Sequence, residues 1–220
     1  MSAPSRRAAL FDMDRTLVRV ETASLYVRYQ RDIGEARLAD ALRVAWWVLL
    51  YTFNLIDAPK VAAKALEQLA GIPETVMSSR CDDWFQIYVA RHVTDAGRTA
   101  VHHHRQRGDL LAIATGASLY ASRPLAGMLG IAHVLASELE IADGCFTGRL
   151  VDPLCFGEGK VQRVRRLLDA EGIALRDATF YSDSVTDLPL LEAVGEPVVV
   201  NPDPRLLRIA RRRGWRIEQW

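Results

Sequence analysis

Five short apolar runs punctuate this chain: Ala8 to Phe11, Leu110 to Ala114, His133 to Ala136, Ala178 to Tyr181 and Pro197 to Val200. Runs of four or five residues without polar alternation belong to strands buried on both faces. Segments of helical period stand between them, over Ala96 to Arg107, Leu119 to Leu129, Lys160 to Ala170, Leu188 to Val194 and Arg205 to Arg213. Gly130 and Gly172 mark two helix stops. Strands alternating with helices predict an α/β fold whose parallel sheet is covered on both faces, and ligands of such sheets gather at the C-terminal ends of the strands.

The interval from Val20 to Val93 breaks this rhythm. It holds no strand signal and reads as helices around Leu25 to Arg31, Leu38 to Leu55, Ala58 to Leu69 and Glu74 to Arg91, an all-helical insertion after the first strand. Residues 20–93 are therefore expected to form one domain, and residues 1–19 with 94–220 the other. A smaller irregularity, Glu140 to Val151, carries Asp143-Gly144 and Thr147-Gly148 around Cys145 and Phe146, a hairpin signal.

The insertion contains the longest uncharged apolar window, the thirteen residues Val44 to Ile56, with Trp46, Trp47, Tyr51 and Phe53 nearby or within it. This is well short of the roughly 20 residues needed to cross a bilayer, so no transmembrane segment is expected. A buried helix is the ordinary reading, and an interfacial helix or an apolar groove the other. Asp12 and Asp14 interrupt the first apolar run before it can act as a signal-peptide core, which points to a cytoplasmic protein. Cys81, Cys145 and Cys155 form no CxxC pair and are expected as free thiols. The 28 basic and 27 acidic residues nearly cancel, leaving a formal charge of +1 and no electrostatic footprint for nucleic acid. Arg211 to Arg213 suit a solvated helix end, and His102, His103 and His104 diverge by about 100° per residue on a helix, so they cannot grip one metal together.

The chemistry-bearing residues cluster at strand ends. Asp12 and Asp14 follow the first strand two positions apart, so in extended chain both carboxylates project to one side. Thr115 and Gly116 end the second run where hydroxyl and backbone N–H groups can hold an anion. Lys160 is one of three lysines, and it opens a helix, where the dipole disfavours a cation unless an anion is near. Asp183 and Asp187 follow the run ending at Tyr181. Each feature alone is an ordinary cap or turn residue; the four together have no such account.

A carboxylate is ionised at neutral pH, so Asp12 needs no base to attack phosphorus. Mg²⁺, which favours oxygen ligands, would offset repulsion between Asp12 and Asp183. Lys160 and Thr115 would hold phosphoryl oxygens, and Asp14 would serve first as acid and then as base. This is the chemistry of a small phosphate ester losing its phosphoryl group.

On these residues the sequence resembles the haloacid dehalogenase superfamily, in its phosphoserine phosphatase-like branch. Asp12-Met13-Asp14-Arg15-Thr16 resembles the first motif, Thr115 the second, Lys160 the third, and Asp183 with Asp187 the fourth. The resemblance implies a Rossmann-like core with the helical insertion as a cap. It also implies Mg²⁺ held by Asp12, the Asp14 main-chain carbonyl and Asp183, with Asp187 supporting, and phosphate ester chemistry through an aspartyl phosphate. Glu21 falls where that branch places a glutamate that contacts the substrate amine. Arg15, Ser182, Ser184 and Thr186 depart from the residues usual in the motifs, and Arg15, which replaces a small residue beside the site, is with Glu21 a candidate substrate contact. The same intermediate serves a phosphotransferase or mutase, and a non-enzymatic membrane-surface or scaffold role is the alternative that the apolar window offers.

Overall fold

A computed structural model describes residues 6–34 and 69–220. The predicted helices over Leu38 to Leu55 and Ala58 to Leu69, Leu69 itself excepted, lie outside the described residues, as do the apolar window and its aromatic side chains. The described residues fall into two compact units, one drawn from residues 6–20, 92–138 and 152–220, the other from residues 21–34, 69–91 and 139–151.

The first unit is built on strands β1 (Ala8–Phe11), β2 (Leu110–Ser118), β3 (His133–Ala142), β5 (Ala178–Ser182), β6 (Glu196–Val200) and β7 (Arg216–Glu218). β3 runs on into the second unit, where the turn Asp143-Gly144 returns the chain as β4 (Cys145–Val151). Asp143 and Gly144 both have positive φ, 50° and 75°, the backbone a two-residue hairpin demands. The strand order is β4-β3-β2-β1-β5-β6-β7, and β1 pairs in parallel with both β2 and β5. β1 is central and its four residues are fully buried, as a run without alternation requires.

Helices α3 (Asp95–Gln106), α4 (Leu119–Leu129), α5 (Glu158–Ala170), α6 (Leu188–Ala193) and α7 (Pro204–Arg213) cover the sheet. Ala8 and Leu10 pack with Val161, Val164, Leu168, Phe180, Leu190 and Leu191 in one core cluster. Phe11, of opposite parity, stacks on Tyr181 with ring centroids 4.9 Å apart and meets His104 edge-on. His104 is 3% exposed; its Nδ1 lies 2.7 Å from Asp109 Oδ2 and its Nε2 2.9 Å from the Tyr181 hydroxyl. It is a satisfied core histidine, and the other two ring-bearing neighbours in its run are exposed.

The second unit contains α1 (Thr22–Asp32) and α2 (Glu74–Trp84). The single helix expected over Glu74 to Arg91 is divided: α2 passes into a π-helical turn, Phe85–Val89, and a 3₁₀ turn, Ala90–His92. Tyr26 meets Trp84 edge-on at 5.5 Å and its hydroxyl points to Met77 Sδ, so aromatic packing holds this unit. The three cysteines are free. Among the described residues no helix is long and apolar enough to cross a membrane.

Candidate active site

Because Phe11 is in register with both Ile113 and Tyr181, the ends of β1 and β5 and the register shift after Ala114 in β2 lie at one edge of the sheet. Asp12 is anchored there by its own N–H, which donates to Tyr181 O at 2.9 Å. The residue is buried, 7% exposed. Lys160, 2% exposed, reaches it from the first turn of α5: Nζ lies 3.1 Å from Asp12 Oδ1 and 2.6 Å from Asp187 Oδ1. The conflict between a cation and the helix N-terminus is thus resolved by two carboxylates rather than by solvent.

The turn that delivers Lys160 depends on two glycines. Gly157 stands before the helix at φ 51°, and a Cβ on Gly159 would lie 2.0 Å from Leu154 O. No other residue lets the first turn of α5 pack this closely on the preceding segment.

Asp187 is fixed from a second side, since Ser182 Oγ donates to its Oδ2 at 2.7 Å. The serine that departs from the family's usual residue therefore orients an acid. Asp183, 6% exposed, sits between them in sequence, and Arg15 Nε lies 3.2 Å from its Oδ2. The whole loop is tied to α7: the Asp203 N–H donates to Asp183 O at 2.9 Å, and Asp203 Oδ2 accepts from Val185 N at 2.7 Å. Asp203 Oδ1 meanwhile caps α7, accepting from Arg205 N and Leu206 N.

Burial pushes the Asp12 carboxyl up to about 7, against the pull of Lys160, while Asp187 and Asp14 add to the rise. Burial alone would depress the Lys160 ammonium, but Asp12 and Asp187 outweigh it and hold its pKa above the ordinary lysine value. Lys160 is accordingly charged at any physiological pH. Its Nζ also lies 5.7 Å from the Phe180 ring centroid, a weaker cation–π contribution.

Thr115 is 2% exposed, and its Oγ1 accepts from Ala117 N. It stands within β2, which runs four residues beyond the expected end; the register with β3 shifts between Ala114 and Ser118, and only Ser118 caps α4. Gly116 is exposed, and its carbonyl accepts from Ser137 Oγ. Asp14 is partly buried in the turn after β1 and bridges to Val18. The structure thus brings Asp12, Lys160 and Asp187 into direct contact, joins Asp183 to Arg15, and puts Asp14, Thr115 and Gly116 on the adjoining strand ends. Glu21 is exposed and belongs to the second unit, at the N-terminus of α1, with no side-chain cap bond.

The donor set suits a hard divalent cation. Asp12, Asp183 and Asp187 are three buried acids set against one buried ammonium and the half-exposed Arg15, and every available donor is oxygen. Among the described residues no three His, Cys, Asp or Glu side chains are gathered as a ready-made metal cage. Mg²⁺ keeps several waters and does not require such a cage.

The family's sequence profile settles the lineage: that of haloacid dehalogenase-like hydrolases matches residues 9–192. The chain belongs to that family. It is 33% identical over 220 residues to phosphoserine phosphatase SerB1 of Mycobacterium tuberculosis, a match covering 97% of this chain and 70% of that one. It is 27% identical over 216 residues to a histidinol-phosphatase of Neisseria meningitidis, covering 96% and 97%. Among solved structures, a Bordetella pertussis protein of unknown function superposes with a TM-score of 0.89 at 34% identity, covering 98% of this chain and 99% of that one. A phosphoserine phosphatase solved as a phospho-aspartyl intermediate analogue gives a TM-score of 0.72 at 18% identity, covering 98% and 94%, and shares the fold.

Sequence reasoning missed three supports of this haloacid dehalogenase-like site: Ser182, Asn201 and Asp203. The last was findable. Asp203-Pro204 is an N-cap followed by proline at the first helical position, and it puts the start of α7 one residue before the expected Arg205.

Proposed function

We propose that this family member hydrolyses a small phosphomonoester through an aspartyl phosphate on Asp12. The observation that carries the reading is the buried contact of Lys160 with Asp12 and Asp187 at the C-terminal edge of the sheet. Lys160 holds Asp12 in place and supplies positive charge where phosphoryl oxygens would lie. Asp12 Oδ attacks phosphorus as the ester oxygen leaves; Asp14 protonates that oxygen, then takes a proton from the water that releases phosphate and restores Asp12. Thr115 and Gly116 border the same edge and suit the remaining phosphoryl oxygens. Mg²⁺, held by Asp12, the Asp14 carbonyl and Asp183 with Asp187 behind them, would neutralise charge on the phosphoryl group. Residues 20–93 are read as the cap, and Glu21 as a contact to the substrate.

The names of the relatives narrow the substrate class. Phosphoserine and histidinol phosphate are both phosphate esters of amino alcohols, so this class heads the panel. The test is phosphate release by purified protein with Mg²⁺, compared by kcat/KM across phosphate esters, and repeated with Asp12→Asn. Asp12→Asn is expected to abolish release, leaving less than about one part in 10³ of activity, because no other group forms the covalent intermediate. Phosphate release undiminished by that change would sink the mechanism.

A further inference from the structure

Arg15 is held by three independent features. Its backbone lies at φ 53°, a region that L side chains other than Asn and Asp seldom adopt. Its carbonyl accepts from Asn201 Nδ2 at 3.3 Å, and Asn201, itself at φ 42°, accepts from Trp220 N at 2.9 Å. Such backbone persists where surrounding contacts over-determine it. The result delivers the Arg15 guanidinium to one acid, with Nε 3.2 Å from Asp183 Oδ2. The Asp183 side chain is 9% exposed and that of Arg15 48%, so the acid is enclosed while the cation stands at the rim.

We propose that Arg15 is an internal counter-ion to Asp183 that competes with the divalent cation. This rests on the reading of Asp183 as a metal ligand. A guanidinium at 3.2 Å and a divalent ion on the same carboxylate repel one another, so binding of the ion weakens the pair and favours release of the arginine. A rim position makes that exchange possible, since the released guanidinium regains water; Lys160, enclosed between Asp12 and Asp187, has no such exit. The role of Arg15 is therefore to weaken cation binding and to keep Asp183 neutralised between occupancies.

The test is calorimetric titration of Mg²⁺ into the full chain without substrate, for the wild type, Arg15→Asn, Arg15→Gly and Asp183→Asn. Asn and Gly both accept positive φ, so the turn is retained, and circular dichroism verifies folding. Removing a half-exposed ion pair is expected to tighten Mg²⁺ binding about two- to fivefold in both Arg15 variants. Unchanged or weaker binding in both, with binding lost in Asp183→Asn, would overturn the counter-ion role alone. Wild-type binding by Asp183→Asn would instead overturn the metal reading on which it rests.

Discussion

Lys160→Met is the most informative single change. It removes an ammonium that lies 3.1 Å from Asp12 and 2.6 Å from Asp187 while keeping most of the side-chain volume. At an effective dielectric near 20 each contact is worth about 5–6 kcal/mol of gross Coulomb attraction. Most of that offsets desolvation of the three charges; the loss on removing one partner of such a buried cluster is about 3–5 kcal/mol. The damage is to the carboxylates left behind, so Asp12→Asn in the Lys160→Met background should restore part of the stability, a coupling of about 0.5–3 kcal/mol. Urea unfolding of the wild type, both single variants and the double variant at one pH gives the cycle. Phosphate release by Lys160→Met should fall at least about 10²-fold, the scale for one lost stabilising donor. Additive stabilities, or activity within a few fold of wild type, would refute the view that Lys160 joins the acids at the site.

Two further outcomes follow from groups outside the phosphoryl site. Asp203 uses both carboxylate oxygens as acceptors, for Val185 N and for the first N–H groups of α7; Asn supplies only one. Asp203→Asn should lower unfolding free energy by about 1–3 kcal/mol, since an N–H or amide is left facing a donor, and it should raise the Mg²⁺ requirement. A variant that matches wild type in both measurements counts against a supporting role for the cap. The second outcome concerns His104, whose pKa is lowered by burial against the opposing pull of Asp109. Protons then bind the unfolded chain first, so this contribution is complete above the ordinary histidine value of 6.5 and is lost as pH falls below it. The stability advantage of wild type over His104→Gln should shrink between pH 7 and 5.5, with a slope of at most about 1.4 kcal/mol per pH unit. An NMR titration of His104 giving a pKa above 6.5 would contradict this.

The sheet was legible because buried parallel strands favour apolar runs: Ala8–Phe11 is wholly apolar, and Ala178 to Tyr181 is broken only by Thr179. Strand β7 was not: Arg216, Ile217 and Glu218 lie at the sheet edge, where one neighbour and open solvent impose no apolar pattern. The reach of β2 through Thr115 to Ser118 was hidden for another reason, since Thr-Gly-Ala-Ser carries the signature of a turn and cap, and only the altered register against β3 reveals the extension. The principal acids and Lys160 were legible because charged groups at the ends of apolar strands are conspicuous. Their supports were harder to see, because Ser182, Asn201 and Asp203 reach the site through hydrogen bonds to residues that sequence does not show to be neighbours, and only the capping role of Asp203 has a local signature.

The two cations of the site divide one electrostatic problem. Several carboxylates at one sheet edge repel, and the proposed nucleophile Asp12 would have to stay available while its neighbours stay charged. Lys160, buried in the first turn of α5 and held by Asp12 and Asp187, is a fixed partner. Arg15, half-exposed and set by a turn that its own side chain disfavours, is a partner that can leave Asp183 without unfolding anything. Arg15, which departs from the first motif, therefore touches Asp183, the acid proposed as a metal ligand, rather than Asp12. Its expected signature is in Mg²⁺ affinity, with the choice among phosphate esters set by other residues.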